Sequence, residues 1–287
     1  MTTQIVGILF DGLAFGMLLF VLSVGLSVTL GLMNFINLAH GSFAMIGGYV
    51  TLTLMREGGW PFLATLPAAF VITALISVAF ERTLFRRLYR STALNQVLLT
   101  IGLVFVSAAI AAYFYGTVQQ PIQVPDYLRG SHEIAGVSFA TYRLFLLVVA
   151  LFLVALLIGG LEYTRFGARI RAAVDDQRMA RGLGIDVDSV FAVTFALGSG
   201  LAGLGGALAI EIVGLDPSFG FHYLVFMLIV VAVGGLGSVG GSFAAAALLG
   251  IFDVAGKYYV PALGSFLIYI VLIVLLFVRP RGLFGKR

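Results

Sequence analysis

The sequence predicts an all-α protein: a polytopic transmembrane helical bundle of about 8–9 spans. Three observations carry this. Hydrophobic residues fill 61% of the 287 positions and charged residues only 10%, where soluble domains carry about a quarter charged residues; mean hydropathy is +1.09. From Gly12 to Met55 no side chain bears a formal charge, which leaves room for about two spans of ~20 residues each. The apolar runs do not alternate with polar residues as the strands of a membrane barrel would, and 36 glycines suit helices whose backbones approach closely.

In chain order, the segments 5–31, 35–55, 62–80, 94–115, 142–162, 189–213, 221–236, 239–257 and 262–278 read as spans. The first reads as a retained span, because no basic stretch precedes it and Asp11 interrupts it. Three basic clusters set the orientation: Arg82, Arg86, Arg87 and Arg90; the stretch from Glu162 to Asp188; and Arg279, Arg281, Lys286 and Arg287. The positive-inside rule assigns all three to the cytoplasm. The C-terminus is then inside and the N-terminus outside, and the loop at about 117–141, with Pro121, Pro125 and no basic excess, is external. Residues 1–287 form one transmembrane domain in this reading. Glycine-rich 198–206 and 234–241 are candidate breaks or re-entrant turns. Gly41-Ser42-Phe43-Ala44 recurs as Gly241-Ser242-Phe243-Ala244, each starting an outward-going span; duplicated halves and chance in so biased a composition both account for it.

The net charge of +4 comes from clusters at span ends and does not mark a nucleic-acid binder. With no cysteine, disulfides and thiolate metal sites are excluded. Gly235-Leu236-Gly237-Ser238-Val239-Gly240 matches the dinucleotide fingerprint on paper, yet membrane-length apolar segments flank it instead of a βαβ unit. Gly250 to Lys257 mimics a phosphate loop, but the glycine spacing is one residue too long and Tyr258 stands where Ser or Thr is required. The chain therefore carries no nucleotide site of its own in this reading. The three histidines, His40, His132 and His222, lie in separate regions with no carboxylate at ligand spacing, so neither a catalytic nor a metal site is expected.

Two stretches remain as candidates. Asn34, Asn37, His40, Gly41 and Ser42 are the most polar residues in the first apolar run, and Asn34, Asn37 and Gly41 share one face if the segment is helical. They line a polar path or act as hydrogen-bonded glue between helices, near the cytoplasmic ends of two spans. Glu211 and Asp253 read as isolated acids with interfacial or packing roles. The second stretch is the basic loop at about 163–188. Phe166, Ile170 and Val174 recur every four residues as an apolar stripe beside Arg165 and Arg169. Asp175 or Asp176 can cap a second short helix in which Met179 and Leu183 pair, Gly182 and Gly184 end it, and Asp186 or Asp188 can cap the next span. Two capped amphipathic helices exceed what orientation alone demands and suggest a docking element.

The stretches 34–49 (NFINLAHGSFAMIGGY), 80–90 (FERTLFRRLYR), 98–103 (LLTIGL), 165–186 (RFGARIRAAVDDQRMARGLGID), 234–241 (GGLGSVGG) and 279–285 (RPRGLFG) run through nearly the whole chain. In that order they resemble the shorter of the two permease subunits of bacterial ATP-binding-cassette importers for branched-chain amino acids. The resemblance implies a multi-pass protein of the bacterial inner membrane. Its partners would be a second permease subunit, two cytoplasmic ATP-binding subunits holding ATP and Mg, and a periplasmic or lipid-anchored substrate-binding protein. It also implies that the basic loop holds the coupling helix that docks on an ATPase, with Arg165, Phe166, Gly167, Arg169, Ile170, Arg171, Ala172, Asp175, Ala180 and Gly184 in that motif. Phe166 and Ile170 would anchor the helix, the arginines would pair with acidic groups, and Gly167 and Ala172 would permit close contact. The chain itself would need no cofactor. The same importer architecture carrying urea, amides or another small solute, a stand-alone secondary transporter, and an intramembrane enzyme are the alternatives.

Overall fold

The computed structural model describes residues 2–284 except 34, 90, 123 and 135; Asn34, Arg90, Lys286 and Arg287 thus lie outside the described residues. The helices are α1 (Thr2–Met33), α2 (His40–Arg56) and α3 (Phe62–Phe80), which continues through a π turn (Glu81–Phe85) into the single turn α4 (Arg86–Leu88). Then come α5 (Ala93–Tyr115), α6 (Thr141–Tyr163), the short α7 (Arg165–Asp175) and α8 (Gln177–Gly182), α9 (Val187–Val213), α10 (Phe219–Gly234), α11 (Val239–Tyr259) and α12 (Gly264–Val278). Among the described residues six helices are long and apolar enough to cross a membrane. Three of the nine expected spans are shorter: α10 and α12, and α2, whose 17 residues rise about 25 Å.

Two expectations about breaks change. The glycines of 198–206 do not interrupt α9, which is continuous from Val187 to Val213; they serve close packing instead. A Cβ on Gly206 would overlap the backbone of Ala44 in α2, and one on Gly203 would crowd Thr73 in α3. The stretch after Gly234 is a true break, a turn at 235–238 between α10 and α11. The more consequential break falls at 35–39, inside what reads as one span from 35 to 55. Both copies of the Gly-Ser-Phe-Ala repeat open a helix after such a break, and both lead glycines pack on α10, Gly41 against Gly220 and Gly241 against Gly234.

The centre of the bundle is α1 and α9. α1 packs along α11, α9 and α10, while α2 and α3 lie against α9. The core is made of buried Met17, Leu18, Phe20, Leu22, Phe195, Ala207 and Leu208 among others. α5 and α6 leave most of their apolar surface outward. At one end of the bundle the loop at about 117–141 contains a hairpin, β1 (Ser131–Ile134) and β2 (Val137–Ala140), antiparallel with Ser131 opposite Ala140. Phe139 of the hairpin meets Phe10 edge-on at 4.8 Å. Arg56 at the end of α2 donates to Gln120 Oε1 (2.8 Å) and to the Pro121 carbonyl (2.9 Å), and the Gln120 N–H donates to Leu215 O (2.7 Å). These contacts clamp the hairpin end. The opposite, arginine end holds α4, α7, α8 and the C-terminal tail, where the Leu283 N–H donates to Val233 O at 2.7 Å.

Candidate functional site: a basic helical pair and a polar break

α7 starts where the Thr164 hydroxyl accepts from the Gly167 N–H (3.2 Å). It folds back on the end of α6: Gly167 has no room for a Cβ against the Leu161 backbone, and Arg171 donates to the Leu161 carbonyl. The inward face is Gly167, Ile170 and Ala173, with Phe166 and Val174 half-buried on the core. Arg165, Ala168, Arg169 and Asp175 are exposed, and Ala172 is half-buried. Ile170 and Gly167, expected to meet a partner, thus belong to the chain's own packing. The apolar stripe is the face α7 turns to its bundle, because a helix of mixed polarity buries that face first against the nearest apolar surface.

α8 begins at Asp176, not Asp175: its Oδ1 accepts from Arg178 N–H (2.8 Å) and Met179 N–H (2.9 Å). Ala180 is buried, whereas Met179 and Leu183 stand exposed. Gly184, at φ +81°, turns the chain so that the Ile185 N–H reaches Ala180 O (3.0 Å); a residue with a Cβ is strained there. Asp186 then caps α9, accepting from the Ser189 N–H at 3.1 Å and the Ser189 hydroxyl at 2.5 Å. Those two bonds hold its carboxyl below the usual carboxylate range. Asp188, two residues on, receives both Arg181 (2.8 Å) and Arg86. The first two basic clusters therefore meet on one carboxylate, a junction spacing alone does not reveal.

The polar stretch is not a helical face. α2 begins only at His40, after non-helical residues 35–37 and a turn, so Asn37 and Gly41 do not share a stripe. His40 is fully buried and its Nε2–H donates to Leu22 O (3.1 Å). Leu22 is three turns above the end of α1 at Met33, about 16 Å along its axis; the start of α2 is in mid-bundle and not at the arginine end. Asparagine competes with the helix by bonding locally, and here the break is braced from outside. The Ile36 N–H donates to Gln96 Oε1 (3.1 Å), Gln96 Nε2 donates to Leu88 O (3.1 Å), and Phe35 sits among Phe85, Tyr89 and Phe195. Burial and the Glu81 carboxylate, to which it donates at 3.0 Å, push the Tyr89 phenol above its usual range.

Asn37 is buried and neither end of its amide has a protein partner. Gly41 is a packing position against Gly220. Ser42 alone borders open space: it accepts from the Ser107 hydroxyl (2.7 Å) and lines a cavity of about 560 Å³ between α2, α3 and α5. Ile46, Val50, Val106 and Ile110 make its wall apolar, and the Thr53 and Tyr115 hydroxyls pair at 2.6 Å near its far end. Gln96 and Ser107 are polar residues that sequence reasoning passed over; Gln96 follows Asn95 in the first turn of α5, and Ser107 stands among apolar neighbours in its middle. Asp253 is not isolated, since Lys257 pairs with it at 2.6 Å. Glu211 lies exposed on the last turn of α9. Among the described residues no group of three or more His, Cys, Asp or Glu side chains is placed to hold a metal.

A multi-pass helical bundle with an apolar cavity at membrane depth and a capped basic helical pair at one end has the form of a transporter's membrane component. The family model described as "branched-chain amino acid transport system / permease component" matches residues 8–276, and the chain belongs to that family. It is 27% identical to the high-affinity branched-chain amino acid transport system permease protein LivH of Escherichia coli K12, over 97% of this chain and 94% of that protein. Permease protein BraD of Pseudomonas aeruginosa is 27% identical over 97% of this chain and 95% of its own. LivM of Salmonella typhimurium, also a permease protein, is 26% identical over 81% of this chain and 60% of its own length.

Proposed function

We propose that the chain is one of two permease subunits of an ATP-driven importer for branched-chain amino acids in the bacterial cytoplasmic membrane. The observation that carries this reading is the α7–α8 pair, whose inner face is fixed to the bundle while Arg165, Arg169, Arg178, Met179 and Leu183 face outward. The arginine end is cytoplasmic and the hairpin end external. Two cytoplasmic ATPases, holding ATP and Mg, dock on that basic face; a substrate-binding protein delivers solute at the hairpin end; the chain has no catalytic site or cofactor of its own. ATP-driven closure of the ATPases displaces α7 and α8. Asp188 passes the movement to Arg86 and the α3–α4 arm as well as to α9, against which α1, α2 and α3 pack.

Ser42 borders the solute's path in this reading, the buried Asn37 and His40 shape the break just before it, Gly41 sets the approach of α2 to α10, and Asn34 precedes them in sequence, outside the described residues. The apolar wall of the cavity beside Ser42 suits a branched aliphatic side chain better than urea or an amide. Replacing Arg169 by Glu and Met179 by Asp is the direct test, since both side chains are outward and neither supports the fold. The variant should cut ATPase co-purification and ATP-driven leucine uptake by roughly tenfold or more, the scale of losing one good interfacial contact. Unchanged assembly and unchanged substrate-stimulated hydrolysis would remove the docking assignment.

A further inference from the structure

At the hairpin end a second cavity, of about 270 Å³, lies among α1, α6, α9 and α11. Four charged side chains converge on it, Asp11, Arg143, Asp253 and Lys257, with Phe15 and Ile212 among its apolar lining. They form two ion pairs, Arg143 with Asp11 and Lys257 with Asp253 at 2.6 Å. The Asp253 side chain is only 3% exposed, and Lys257 lies over the Phe15 ring, 5.5 Å from its centroid. Intramembrane acids are costly and usually serve a bundle interior or a pathway. Anchoring at the interface needs only the cations; it gives no reason for two carboxylates on neighbouring helices to face one space.

We infer that this cavity is a receptor site for a free amino-acid zwitterion. Its charges balance, so it selects neither a simple anion nor a simple cation. A dipolar solute fits, with its carboxylate between Arg143 and Lys257 and its ammonium between Asp11 and Asp253. Phe15 and Ile212 take the aliphatic side chain. The volume falls just below the ~300 Å³ at which pockets for drug-sized ligands begin, as a small solute requires. The assignment rests on the importer reading, which makes this end the one where solute arrives. A zwitterionic lipid headgroup shares the charge pattern, and the experiment separates the two.

The test measures thermal unfolding of the purified full chain in nanodiscs of phosphatidylglycerol, with and without phosphatidylethanolamine. The probes are L-leucine, 4-methylpentanoate, which lacks the ammonium, and 3-methylbutan-1-amine, which lacks the carboxylate. Leucine should raise the midpoint in both lipid compositions, with an apparent affinity roughly tenfold or more above either analogue. The double variant Asp11→Asn/Arg143→Gln keeps a neutral hydrogen-bonded pair; it should unfold within a few degrees of the parent yet lose the leucine response, as should Lys257→Gln. No leucine response in the parent, equal responses to the analogues, or a response to phosphatidylethanolamine alone overturns the inference. ATP-driven uptake measured in proteoliposomes of the assembled importer, with the same chain, separates the two claims: normal uptake without leucine binding leaves the importer reading intact and removes only the site.

Discussion

Asp188 is the residue on which the arginine end turns. Arg86 comes to it from α4 and Arg181 from α8, and both partners are about half exposed. Exposed pairs contribute about 0–1 kcal/mol, so Asp188→Asn should change stability by no more than that in a denaturant melt. Its effect belongs to transmission: coupled uptake should fall while the basal ATPase rate of the assembled importer holds. Asp186 behaves differently, because its folded-state carboxyl is held below the usual range by Ser189. A depressed acid stabilises above its unfolded pKa of about 3.9 and loses that contribution as pH falls through the lower folded value. The parent should therefore exceed Asp186→Ala in stability at neutral pH, and the gap should close only in strong acid; a constant gap across a pH series of melts would contradict this. The caps were legible in spacing, whereas Asp253, read as isolated, has its partner Lys257 one turn on. The partnership of Asp11 with Arg143 was not legible, since it joins residues far apart in sequence through the packing of α1 on α6.

At the scale of elements, hydropathy located nearly every helix, because an apolar run has to bury its backbone polar groups in hydrogen bonds whatever its neighbours do. It could not tell a break from a helix. Residues 35–39 hold a single polar side chain, and their non-helical form is braced by Gln96 and by the rings of Phe85 in the π turn and Phe195 in α9. The glycines of α9 misled in the opposite sense: they suggest interruption, yet they let α2 cross at backbone contact. Gly206→Val should therefore prevent folding, read as loss of a monodisperse peak in detergent, whereas Gly240→Ala, which meets open space, should be tolerated. In the basic pair, Asp176→Ala removes the cap of α8 and should cost about 1 kcal/mol of local stability, seen as faster amide exchange over 177–184 with α9 unaffected.

For the whole molecule, the account is one of two ends joined by a packed centre. The basic end offers charge to a partner, the hairpin end holds a charged cavity, and α1 and α9 connect them. The fold class and the basic pair were readable from composition and periodicity alone; which faces of the pair are free was not, because that depends on what α6 presents to α7. The central claim is that transport through this chain is driven by a partner's ATP. The direct measurement is uptake of labelled L-leucine into proteoliposomes holding the chain with its companion permease, ATPases and binding protein. The account predicts accumulation that requires ATP and every one of these components, and that Arg169→Glu/Met179→Asp abolishes. Accumulation by the chain alone, without ATPases or ATP, would contradict it.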